Sequence, residues 1–297
     1  MMIKSLEKIN SRQIGLLMIA VVTASEFLFA PKYASEYAKQ DGWISMSLTI
    51  LPGILMVVLM TALSRRYPGL SIVEVGMKIL GKWLGRLFAA FLAYSIFLYI
   101  AMNLKSMSTF VSVYALPRTP SLVIVGIFTF VCAIAVLAGI EVQGRCAEFI
   151  VPINMLFIAL ILCFSIPNMK PEQLQPVFEN GLLPILKGTI IPSYWVLQGG
   201  WLVLGFLLPF LNQQEEGRKV SLLSVGFIVV ILVAITAQTL TVIGPFTSES
   251  VYPFYSVIRM IGLGETFERV DSIVLFIWLE GLFLKIRAYF YSHSVYV

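Results

Sequence analysis

The sequence predicts an all-α integral membrane protein of about eight transmembrane helices, and three observations predict it. Separate apolar stretches lie near Ile14–Phe29, Trp43–Leu63, Trp83–Met102, Leu122–Ile140, Phe149–Ile166, Ile190–Leu211, Leu222–Ile243 and Ile273–Tyr289. About 20 apolar residues suffice to cross the hydrocarbon core as a helix. Hydrophobic residues make up 59% of the chain and charged residues only 12%, with a mean hydropathy of +0.90, whereas a soluble domain carries about 25% charged residues. The runs are unbroken, unlike barrel strands, which alternate apolar and polar residues. In a bilayer every backbone group must bond internally, so such runs fold as helices.

Taken in order, the first span is expected to be kept as a helix, because Lys32, Tyr33 and Glu36 follow it where a leader would carry small residues. After the second span, Arg65–Gly81 is short, basic and amphipathic, and reads as an interfacial helix opened by Pro68 and Gly69. Pro167–Gly188 and Thr247–Glu268 are the longest external loops. No soluble domain interrupts the pattern, so residues 1–297 form a single transmembrane domain.

The formal charge of +5 reads as topogenic charge rather than a nucleic-acid surface. With a cytoplasmic N-terminus, thirteen Lys and Arg fall inside, among them Lys285 and Arg287, and seven fall outside. Both termini are then cytoplasmic. Cys132, Cys146 and Cys163 lie in or at the edge of apolar spans and read as small hydrophobes. The single histidine, His293, sits in the tail. No metal cluster, cofactor loop or catalytic triad can be composed, so a non-enzyme without a cofactor is expected.

Two spans carry helix-weakening residues. Thr23-Ala24-Ser25-Glu26 with Pro31 interrupts the first; Pro192, Ser193, Gln198, Gly199 and Gly200 fall in the sixth. Pro removes a backbone donor and Gly weakens a helix. Breaks at matching positions of two repeats point to a transporter-type site, and spans one and six match if the repeat unit is five helices. Such residues also serve simple close packing. A charged group within a span is costly and faces a cavity or a partner. Glu26 is the sharpest candidate, either at a ligand site or as a paired structural carboxylic acid. Glu280 in span eight reads as a structural polar group that packs against a hydroxyl or against Lys105, near the end of span three. Glu141, Arg145 and Glu148 read as interface charges. Tyr194, Trp195, Gln198, Gly199, Gly200 and Trp201 could shape a pocket in which helix-end N–H groups bind a carboxylate and a ring binds an ammonium.

Three stretches carry a family resemblance. Ile9-Asn10-Ser11-Arg12-Gln13 leads through Phe27–Pro31 to Gln40-Asp41-Gly42-Trp43-Ile44-Ser45. Arg65–Val75 precedes Gly81–Arg86. Tyr252-Pro253-Phe254 precedes Gly264–Asp271 and Phe276–Lys285. With these, the chain resembles the endospore germination permeases, the B subunits of spore nutrient-germinant receptors, within the amino acid–polyamine–organocation superfamily. The resemblance implies a five-plus-five inverted repeat with broken helices one and six, here truncated by its last two helices. It implies a ligand site at Ser25, Glu26, Phe27, Tyr194, Gln198, Gly199 and Gly200, although the family usually has glycine near the first break, where Ser25 and Glu26 stand. It implies a coupling carboxylate at Glu280, since helices one and eight flank a coupling-cation site in the superfamily. It also implies receptor A and C subunits as partners, the inner spore membrane as location, and an amino acid as nutrient. Three functions follow as expectations: a germinant sensor, a proton-coupled amino acid transporter, or a truncated scaffold that binds nothing.

Overall fold

A computed structural model describes residues 8–212, 214–261 and 270–296; the side chains of Ser25, of residue 214 and of residues 270–273 and 292–296 lie outside the description. The Gly264–Asp271 run and the His293 side chain therefore fall largely outside it.

The described residues are almost wholly helical. The long elements are α1 (Ser11–Ala38), α2 (Gly42–Leu48), α3 (Ile50–Arg66), α4 (Ile72–Tyr114), α5 (Ser121–Val136), α6 (Gly139–Phe164), α7 (Leu182–Leu207) and α8 (Gln214–Ile243). Short α9 (Phe246–Glu249) and α10 (Pro253–Met260) precede α11 (Val270–Tyr296). Each of the eight apolar stretches lies mainly on these helices, the second being divided between α2 and α3 and the fourth running from α5 into the start of α6. Five helical stretches among the described residues are long and apolar enough to cross a membrane: Glu26–Arg66, Ile72–Tyr114, Gly139–Phe164, Leu182–Phe210 and Glu215–Ile243.

Two of the stretches that carry the resemblance are helix caps. The Asn10 side chain accepts from the Gln13 N–H at 2.8 Å, and Gln13 Oε1 accepts from the Asn10 N–H at 3.0 Å. Ser71 and Glu74 close the same reciprocal box at the start of α4. Such boxes satisfy the donors that a helix start leaves open. The basic Arg65–Gly81 segment does contain a helix, its Ile72–Leu80 arm, which ends at Gly81 with φ 78° and ψ 179°. That backbone is open to glycine and strained for any side chain. Beyond it, the second arm of α4 carries the third span.

Helix α1 is the axis of the bundle. It packs most extensively on α7 and α8, and also on α11, α6 and α2. Ile14, Leu17, Met18, Val21, Val22, Phe27, Leu28, Ala30 and Ala34 are all buried on it. A helix that is apolar on every side is one enclosed by others, whereas α4 and α5 leave Leu87, Phe91, Phe97, Ile127 and Phe130 exposed, as suits contact with lipid.

The expected breaks are a correction. Helix α1 is helical through Thr23–Glu26 and past Pro31, and α7 is helical from Pro192 through Gly200. The glycines serve close approach instead. A Cβ on Gly199 would stand 2.6 Å from Val22 Cγ2 of α1, and one on Gly200 would collide with Met56 Cε of α3. Small residues let membrane helices approach this closely, so here the packing role prevails.

Candidate functional site

Glu26 lies midway along α1, and Lys285 lies midway along α11. Lys285 Nζ donates to Glu26 Oε1 at 2.9 Å and to Oε2 at 3.3 Å, and the two side chains are 0% and 3% exposed. The Tyr99 hydroxyl of α4 donates to Glu26 Oε1 at 3.3 Å. Lys285 Nζ also stands 5.0 Å from the centre of the Tyr99 ring, within cation–π range. Tyr289 packs edge-on against Tyr99 at 5.2 Å, and Asn103 Nδ2 donates to the Tyr99 carbonyl at 2.8 Å. Three helices thus converge on one carboxylate.

Beside the pair is a cavity of about 170 Å³. Glu26, Phe29 and Tyr33 line it from α1, Tyr99, Met102, Asn103 and Ser106 from α4, and Trp195 from α7. Trp195 packs edge-on to Tyr33 at 5.2 Å. One wall therefore offers a carboxylate with an ammonium behind it, and the rest offers aromatic rings and small polar groups. The charge that this wall itself carries is the Glu26 carboxylate, to which a cationic group is complementary, and Lys285 stands outside the lining.

The expected residues are distributed as follows. Glu26 is at the centre of the site. The Ser25 side chain lies outside the described residues. Phe27 is buried but points elsewhere, packing edge-on against Phe254 of α10 at 5.9 Å. Tyr194 is 56% exposed and does not line the cavity, because its neighbour Trp195 takes the inward position. Gln198 is buried and its Oε1 accepts no hydrogen bond among the described residues, yet it is absent from the cavity wall. Gly199 and Gly200 are packing contacts. Lys105 is exposed on α4, and no ion pair joins it to Glu280 among the described residues; Glu280 is half-buried on α11 with Oε2 unbonded. Glu141 and Arg145 do sit together, at 3.9 Å and well exposed.

Lys285 was missed, as was its neighbour Arg287, which is buried and donates to the Gly139 carbonyl at 2.8 Å. Charge counting places both on the cytoplasmic side as topogenic charge. Both in fact stand inside the bundle, and without them the inside-to-outside ratio of basic residues becomes eleven to seven.

A family model described as "Spore germination protein" matches residues 8–297. The chain belongs to this spore germination protein family. It is similar to spore germination protein KB of Bacillus subtilis (strain 168), 29% identical over 97% of this chain and 77% of the relative. It is also similar to spore germination protein YndE of the same organism, 28% identical over 97% of this chain and 80% of the relative. Spore germination protein XB of Bacillus anthracis is 26% identical over 94% of this chain and 78% of that protein. Family and apolar helices together make this a multi-pass membrane protein of the endospore formers.

Proposed function

We propose that this chain is the nutrient-sensing membrane subunit of a spore germination receptor in the inner spore membrane, and that its nutrient is an amino acid. The observation that carries the reading is the buried Glu26–Lys285 pair, whose carboxylate member lies on the wall of the 170 Å³ cavity with Lys285 behind it, in a member of the spore germination family. A free amino acid carries an ammonium for Glu26 and a carboxylate for Lys285, and it replaces one ion pair by two. Burial of an unpaired charge is prohibitive, so a ligand that supplies both partners at once is favoured.

Sensing needs only different ligand affinities for two conformations. The closed ion pair is one state and the ligand-bridged pair is the other. Because Glu26 sits on the central helix and Lys285 on α11, separating them bears on every helix that α1 touches. Receptor A and C subunits would receive that movement. In this reading α1 and α7 are the first helices of two five-helix repeats, which accords with their mutual packing, and the chain performs no catalysis.

A buried carboxylate on a cavity wall also suits proton coupling, which supports a transporter as the second reading. Liposomes containing the purified chain, a proton gradient and labelled amino acids separate the two. The sensor reading expects no sustained uptake without the A and C subunits; gradient-driven accumulation by this chain alone would establish the transporter instead.

A further inference from the structure

A second, larger cavity of about 490 Å³ lies at the far end of α1 from its N-terminal cap. Its wall is formed by Ser35, Lys39 and Gln40 beyond Glu26, by Gln173 and Glu179 of the segment between α6 and α7, and by Glu249 of α9. Ser35 and Tyr33 are two residues apart, about 200° round a helix of 3.6 residues per turn. They therefore face different cavities, and this one is separate from the Glu26 site.

The chemistry of the wall is one-sided. Ser35 is 2% exposed and its Oγ has no hydrogen-bond partner among the described residues, and Gln173 Oε1 is likewise buried and unbonded among them. Such groups are costly to leave unmet. The amide of Gln40 is already committed, donating to the Pro176 carbonyl at 2.9 Å and to Glu179 Oε2 at 2.8 Å. What stays open is mostly oxygen: Gln173 Oε1, the Ser35 hydroxyl, which can accept as well as donate, and the carboxylates of Glu179 and Glu249, which give the rim two negative charges. Lys39 is the one cation of the wall among the described residues, and it is exposed, so its long stem carries the charge into solvent. A primary ammonium is the complementary group, with three donors, no acceptor and a positive charge.

We propose that the cavity between Ser35, Gln173, Glu179 and Glu249 is a second solute site that binds a primary ammonium group. Free amino acids and diamines both present that group. The inference does not rest on the nutrient reading of the Glu26 cavity.

Equilibrium dialysis of labelled putrescine against the full chain in lipid nanodiscs tests it. Saturable binding is expected, weakened at least tenfold by Gln173→Met and by the double change Glu179→Gln with Glu249→Gln. Both alter polar groups at half-buried or exposed positions and leave the helix packing intact. Displacement of putrescine by alanine would identify an amino acid as a sufficient source of the ammonium; failure of alanine to displace it would restrict the site to diamines. Absence of saturable amine binding would overturn the proposal. So would putrescine binding that is unchanged in both variants, or that is lost on Glu26→Gln and retained in Gln173→Met. Glucose displacing putrescine would also overturn it, since it would show recognition of hydroxyls rather than of an ammonium.

Discussion

Replacing Lys285 by methionine strands the Glu26 carboxylate inside the bundle. At 2.9 Å the two charges attract by roughly 6 kcal/mol at an effective dielectric constant of about 20. Removing each ion from water costs several kcal/mol, so the intact pair is close to neutral in net terms, while the loss of one partner costs about 3–5 kcal/mol. That cost corresponds to a decrease of about two to four powers of ten in the folded-to-unfolded ratio. The charge-free double variant Glu26→Met with Lys285→Met should return to within about 1 kcal/mol of wild type. The assay is equilibrium unfolding of the four proteins of the cycle in mixed detergent micelles, with a coupling energy of at least about 2 kcal/mol expected. If Lys285→Met costs as much in the Glu26→Met background as in wild type, the residues do not act as a pair and the reasoning fails.

Three further outcomes follow from the same packing. Gly199→Leu should destabilise the chain by about 1–3 kcal/mol through overpacking against Val22, seen as a lowered unfolding midpoint; an unchanged midpoint would mean that α1 and α7 are not in close contact. Asp41 is buried and accepts from the Phe178 N–H at 3.0 and 3.2 Å, so Asp41→Ala should weaken that anchor by about 1.5–3 kcal/mol and speed proteolysis within residues 166–181. Tyr194→Ala should change stability by less than about 0.5 kcal/mol and leave the nutrient dose–response as it is; a shifted response would restore Tyr194 to the site. For topology, cysteines placed near Pro176 and near Met77 should be labelled from outside the cell at the first position alone, and labelling at Met77 alone would invert the orientation.

The helices were legible because apolar runs are a strong signal in any membrane chain. The capping residues Asn10, Gln13, Ser71 and Glu74 lie in stretches singled out by resemblance, and their spacing alone marks helix starts. Glu26 could be read because a carboxylate among Phe, Leu and Ala needs an explanation. Its partner could not be read from charge counting, which treats a lysine near the end of a span as a cytoplasmic anchor. The missed signal was continuity. Lys285 and Arg287 fall inside the Ile273–Tyr289 stretch, and apolar Ala288–Tyr291 follows them, so the helix runs on well beyond both. The breaks were over-read for a related reason. Gly and Pro mark both unwound and tightly packed segments, and only the distance from Gly199 to Val22 decides between them.

The central claim is that the polarity of the Glu26–Lys285 pair is what a nutrient reads. Exchanging the charges, Glu26→Lys with Lys285→Glu, keeps a buried pair but reverses the order in which it meets an incoming ammonium and carboxylate. Spores carrying this exchange, with membrane levels of the protein matched to wild type, should need at least tenfold more amino acid for half-maximal germination across a panel of amino acids. A dose–response identical to that of wild-type spores would contradict the account.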